Sequence, residues 1–162
     1  MAEHQVAQEI EKYHQVIGLD REHLEAAASA WTVIEPHMTD LIDQFYQHLD
    51  KNGFMGFFRG HDLPAIKRGQ LAYWQRLFTG EFDTNYNLHV NVIREKHAEA
   101  NVEFTDYIAA YAWFSEQFTG ILMETNLPSP YGLRTLLAAV NKVVYLDMMI
   151  ASGSSDVHLI DF

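Results

Sequence analysis

Nine histidines and eight tyrosines stand among 162 residues, and cysteine is absent. Without thiols there is no disulfide, no thiolate nucleophile, no Cys-ligated zinc or iron–sulfur cluster, and no CxxCH site for a covalent haem. Imidazole is the main strong metal ligand that remains. His4, His14, His23, His37 and His48 lie on helical segments among acidic or polar neighbours, the usual setting of a solvated surface histidine. Glu11-Lys12-Tyr13-His14 supplies one ExxH, whereas a di-iron carboxylate bundle needs two, plus two further inward glutamates. No HExxH occurs, which removes the zincin proteases.

His97 stands apart. It ends an apolar helical face made by Tyr86, Val90 and Ile93, and an aromatic helix follows at once. Such an imidazole is either a packed core residue or a ligand, and on periodicity alone the packed reading is at least as good. His89 lies two turns earlier near the same face, and His61 sits just before Asp62, where a loop histidine usually meets water. Tyr46 lies inside the apolar stripe of its helix, between Ile42 and Leu49. A buried phenol needs a partner, either a backbone carbonyl or a molecule in a pocket. Tyr107 follows His97 by ten residues, across a helix-to-helix corner, where it can orient an imidazole from behind.

Helices must position these groups, because the pattern between the few Gly and Pro breaks is helical and no alternating strand pattern occurs. A leading helix runs to about Ile17 and stops at Gly18; Asp20 caps a second, Ala-rich helix to Ile34. Pro36 restarts a helix bearing Met38, Ile42, Phe45, Tyr46 and Leu49. Asn52-Gly53 ends it, and Phe54 to Phe58 is a short apolar 3₁₀-like connection. Asp62 caps a helix to Thr79-Gly80, and after Asp83 another runs from Thr84 to about Ala100. Thr105 opens a long aromatic helix, and Ser129-Pro130 reads as the N-cap and first residue of the last one. The expected fold is all-α, with about seven helices and a linker-like tail over 152–162.

Composition agrees. Apolar residues make up 48%, and Phe, Tyr and Trp number 10, 8 and 3, too much hydrophobic mass for a disordered chain. The length suits one domain. Eleven basic against 22 acidic residues give a net charge of −11, which argues against nucleic acid or an anionic membrane surface as partner. The N-terminus carries acids where a signal peptide would be basic and then apolar, and no run approaches the length of a membrane span, so a cytoplasmic setting is expected.

Taken in order, Phe45-Tyr46, Ile66-Lys67, the stretch Leu77-Phe78-Thr79-Gly80-Glu81-Phe82-Asp83, His97, Tyr107, and the closing Lys142 with Leu146-Asp147-Met148 resemble the globin domain of the bacterial globin-coupled sensors, a group related to protoglobins. The similarity spans roughly residues 20 to 150. It implies a globin fold over 1–151, with 1–18 as an additional leading helix and a reduced D region, and a noncovalent haem b. It makes His97 the proximal iron ligand, Tyr46 the distal hydrogen-bond donor and Tyr107 the support on the proximal side. Ile66, Gly69 and Gln70 fall on the distal helix, Ile93 joins the haem-contacting set, and His61 is a candidate sixth ligand. One departure is visible. The family follows its proximal histidine with Gly-Leu and then proline, where this chain has Asn101-Val102 and Phe104.

The function implied is sensing of O₂, CO or NO, most readily O₂, with no catalysis in this domain. The resemblance further implies a homodimer through the last two helices and a C-terminal output module: a chemotaxis transducer, a kinase or a cyclic-dinucleotide synthase. The apolar breadth of those helices, including Ile108, Phe114, Ile121, Leu136, Val140, Val144 and Met148, fits a partner surface, so charges at Val144 and Met148 are expected to give monomers. Two other readings stay open: a stand-alone haem globin for O₂ or NO chemistry or storage, and a cofactor-free helical interaction module. No GxGxxG accompanies the first to bring it electrons.

Overall fold

The computed structural model describes residues 2–126 and 129–152, the side chains of 2–7, 9 and 152 excepted. The described residues form helices and no strand: α1 (Ala2–Ile17), α2 (Arg21–Ile34), α3 (Met38–Lys51), α4 (Leu63–Thr79), α5 (Thr84–Glu99), α6 (Phe104–Glu124) and α7 (Leu133–Ser152). Short 3₁₀ turns at Glu35–His37 and Met55–Phe58 precede α3 and α4. None of the described helices is long and apolar enough to cross a membrane.

The boundaries follow local chemistry. Asp20, Asp62 and Asp83 each accept a hydrogen bond from the backbone N–H three residues on, which satisfies one of the orphan donors opening α2, α4 and α5. α7 begins later than Ser129-Pro130 suggests. The Ser129 hydroxyl instead accepts from the Tyr131 N–H and pairs with Ser29 of α2 at 2.9 Å, so it pins a turn, and Gly132 offers its carbonyl to the first helical bond.

α7 runs through the middle. It packs most extensively on α2, then on α6, and also meets α1, α4 and α5. Leu136, Ala139, Val140, Val143, Val144, Leu146, Ile150 and Ala151 are all buried, the pattern of a helix with little solvent face. Ala26, Ala27 and Ala30 are buried on α2, and small residues there let its backbone approach α7 closely. An aromatic core fills the space beside them: Trp31 stacks on Phe78, while Trp74 and Phe78 both meet Phe118 edge-on. The breadth of α6 and α7 is therefore used largely within one chain. Val144 is only 1% exposed, so a charge there attacks the core rather than a dimer contact. The large apolar residues left exposed on these helices are Phe104, Met123, Leu133 and Tyr145.

Candidate functional site

α5 carries His97 in its last turn. Its carbonyl accepts from the Val102 N–H at 3.0 Å while the Ala98 carbonyl accepts from Asn101, the two bonds of a Schellman stop. Asn101 sits at φ 53°, a left-handed position that glycine fills most easily and asparagine next. Asparagine can therefore hold this turn, and the turn closes on His97 itself.

The imidazole is half-buried, and burial holds its pKa below the usual 6.5, which favours the neutral form that binds metal. It rests edge-on against Tyr107, 4.8 Å between centroids. Behind Tyr107, a hydroxyl–hydroxyl bond of 2.9 Å leads to Tyr111, and Tyr111 donates to Oδ2 of Asp147. Tyr73 (2.5 Å) and Tyr86 (2.8 Å) donate to Oδ1 of the same carboxylate, which is fully buried. Burial pushes the pKa of Asp147 up, against three phenols that stabilise the anion. Residue patterns did not reveal this node. Its trace in the sequence is a single acid inside the apolar run that ends α7, within the Leu146-Asp147-Met148 of the resemblance; its phenol partners come from three other helices.

On the other side, α3 buries the Tyr46 ring among Phe45 and Phe58, with the Lys67 ammonium 5.5 Å from its centroid. Desolvation pushes its pKa up to about 12, so the phenol is a donor at any ordinary pH. Its hydroxyl has no hydrogen-bond partner among the described residues. Lys67 is occupied by Asp43 at 2.7 Å and binds α4 to α3. One turn further along α4, Gln70 has a buried Oε1 with no partner among the described residues. Gly69 is exposed, and a side chain there would meet nothing within 4 Å; Ile66 is half-buried. A file of ring contacts joins the two sides: Tyr46 to Phe45 (5.5 Å), Phe114 (4.9 Å), Trp74 (5.2 Å), Tyr111 (5.6 Å), Tyr107 (4.8 Å) and His97.

Other candidates fall elsewhere. His61 is exposed in the turn before α4. His89 bonds the Asn85 carbonyl at 2.6 Å and, with Tyr73, Arg76 and Tyr86, lines a cavity of about 310 Å³ at the α4–α5 corner that neither Tyr46 nor His97 reaches. His23 is not a solvated surface residue: it bridges Asp20 (2.6 Å) and Lys142 (3.1 Å), because the start of α2 lies against α7. Arg94 is likewise no solvated charge; its guanidinium satisfies the Ile150 carbonyl near the end of α7. His37 and His48 are exposed, and the His4 side chain lies outside the described residues, as do 153–162. Among the described residues no group of three or more His, Asp and Glu converges as a metal site.

A protein of this architecture, with one histidine of α5 backed by α6 and a tyrosine of α3 beside α4, is a globin. The chain belongs to the protoglobin family, a family of haem-binding globins, whose model matches residues 6–154. Among solved structures, its fold is similar to the globin domain of the Geobacter sulfurreducens globin-coupled sensor, with a TM-score of 0.76 and 22% identity over 88% of this chain and 94% of that one. No curated protein gives a significant sequence match.

The residues suit a noncovalent haem. Among the described residues, an imidazole biased to its neutral form has no hydrogen-bond partner, a buried phenol keeps its donor unspent, and the buried Oε1 of Gln70 on α4 is unpartnered.

Proposed function

We propose that this chain is a haem-based gas-sensing domain, with O₂ the favoured ligand. His97 and Tyr46 carry the reading: one is an imidazole that burial biases to its neutral form, the other a desolvated phenol whose hydrogen has no acceptor among the described residues. His97 would hold haem b noncovalently, with Ile93 and Tyr107 on its side and Ile66, Gly69 and Gln70 on the opposite helix. Bound haem supplies an iron centre able to take a diatomic gas. The protein's part is to discriminate. The Tyr46 hydroxyl favours a gas that becomes polar on binding, and the Gln70 amide is the second polar group proposed for this side. Phe45 and Phe58, packed on the ring, fix its direction and keep water from competing for the hydroxyl.

Transmission follows α7, which leads toward residues 153–162 and, in this proposal, to an output module that is a transducer, a kinase or a cyclic-dinucleotide synthase. A homodimer through the exposed face of α6 and α7 completes the reading, in a cytoplasmic setting. His61 is the candidate sixth ligand in the absence of gas. Equilibrium O₂ titration of the ferrous, haem-loaded protein tests sensing directly. Reversible binding with no consumption of O₂ or reductant supports a sensor. Continuous turnover of either overturns it in favour of an enzymatic globin.

A further inference from the structure

Among the described residues Asp147 is the one charged side chain that is fully buried, near the end of a helix that is otherwise apolar on that face. A lone carboxylate in such a place is costly unless its lone pairs are filled. Here Tyr73 of α4, Tyr86 of α5 and Tyr111 of α6 all spend their hydroxyl hydrogens on it. That fixes a direction. Tyr111 has one hydrogen and gives it to Asp147, so in its bond with Tyr107 it can only accept. Tyr107 is the donor, its hydroxyl hydrogen is spent on Tyr111, and its ring meets His97 edge-on.

We propose that Asp147 is a positioning residue for the proximal histidine: it anchors Tyr111, Tyr111 anchors the Tyr107 hydroxyl, and the Tyr107 ring then sets the orientation of the His97 imidazole. The inference rests on the reading that His97 binds haem iron. It adds a mechanical consequence. His97 and Asp147 are joined by two routes, one through Tyr107 and Tyr111 of α6 and one through Tyr86 on the same helix as His97. A movement of α5 that accompanies ligation at His97 is therefore felt at α7 through fixed hydrogen bonds. Arg94 adds a further tie between α5 and α7 at the Ile150 carbonyl. The three phenols are not equivalent. Tyr111 alone continues to the ring against His97, while Tyr73 ends at the carboxylate.

The test is the iron–histidine stretching band of the ferrous protein, reconstituted with haemin and reduced, measured by resonance Raman. Wild type is compared with Asp147→Asn, Tyr111→Phe and Tyr73→Phe. A positioning role predicts that Asp147→Asn and Tyr111→Phe both shift and broaden the band, and that Tyr73→Phe leaves it at the wild-type frequency while lowering thermal stability as much as Tyr111→Phe. A band unchanged in Tyr111→Phe, or shifted equally in Tyr73→Phe, overturns the proposal and leaves Asp147 a packing element only. If Asp147→Asn does not fold, Tyr111→Phe decides, because it keeps the ring and the carboxylate. His97→Ala separates the two levels: a Soret band that survives in this variant removes the underlying reading and the proposal with it.

Discussion

The imidazole of His97 meets the Tyr107 ring at 69°, with 4.8 Å between centroids and no hydrogen bond between the two side chains. Van der Waals contact and burial, not a charged partner, define this histidine's surroundings, and that has a consequence for pH. Its pKa is depressed in the fold by desolvation, so below the ordinary value of 6.5 the unfolded chain binds the extra proton first. More protons on the unfolded state means that stability rises with pH in that window and falls as the solution is acidified through it. Urea unfolding of the haem-free protein, followed from about pH 7 to about pH 5, should therefore show wild type losing stability relative to His97→Gln. Parallel curves would show that His97 titrates as freely in the fold as outside it.

Removing the Tyr46 hydroxyl should change gas binding and leave the fold alone. The hydroxyl has no partner to strand among the described residues, so Tyr46→Phe should unfold within about 0.5 kcal/mol of wild type. A charge-assisted bond to a polarised ligand is worth about 1.5 to 3 kcal/mol, or roughly tenfold to a hundredfold in affinity at 1.4 kcal/mol per decade. O₂ release measured by stopped flow should accelerate by that factor, and CO release, whose bound form is less polar, by much less. Equal acceleration of both gases would take the donor role away from Tyr46.

Asn101 tests the turn that ends on His97. At φ 53° a β-branched side chain is strained, so Asn101→Val should cost about 1 to 2 kcal/mol, whereas Asn101→Gly should be neutral or slightly stabilising. Haem dissociation to an acceptor globin should speed up in the Val variant and not in the Gly one. If the Val variant matches wild type in both respects, the stop is not what fixes the histidine.

Much of this was legible in the residues, and the misses share a cause. Asp20, Asp62 and Asp83 mark helix starts because an N-cap is a local bond, made within three residues. Ser129 has the same local chemistry, yet its hydroxyl goes to Ser29, a hundred residues away, and the helix starts at Leu133 instead. His23 misleads in the same way: its acidic neighbour is visible in the sequence, but Lys142 is not. The globin identity is carried by the ordered set from Phe45-Tyr46 to Leu146-Asp147-Met148, and the family match bears it out. The Asp147 node was beyond reach, since three phenols separated from it by 36 to 74 residues converge only in three dimensions.

The dimer proposal now has a different test from charges at Val144 and Met148. Val144 belongs to the core of the single chain, and Val144→Lys should fail to fold, since an unpaired buried charge costs several kcal/mol. Tyr145 is 49% exposed on the neighbouring face of α7. Tyr145→Lys should give monomers by sedimentation velocity with the haem spectrum intact. A wild type that already sediments as a monomer at micromolar concentration contradicts the dimer.

The central claim is that His97 holds haem. The absorption spectrum of the purified protein supplied with haemin, ferric and then dithionite-reduced, with and without CO, tests it most directly for wild type beside His97→Ala. The account predicts a Soret band in wild type that shifts on adding CO and collapses in the variant. A wild type that acquires no Soret band, or a variant whose band and CO shift match those of wild type, would contradict it.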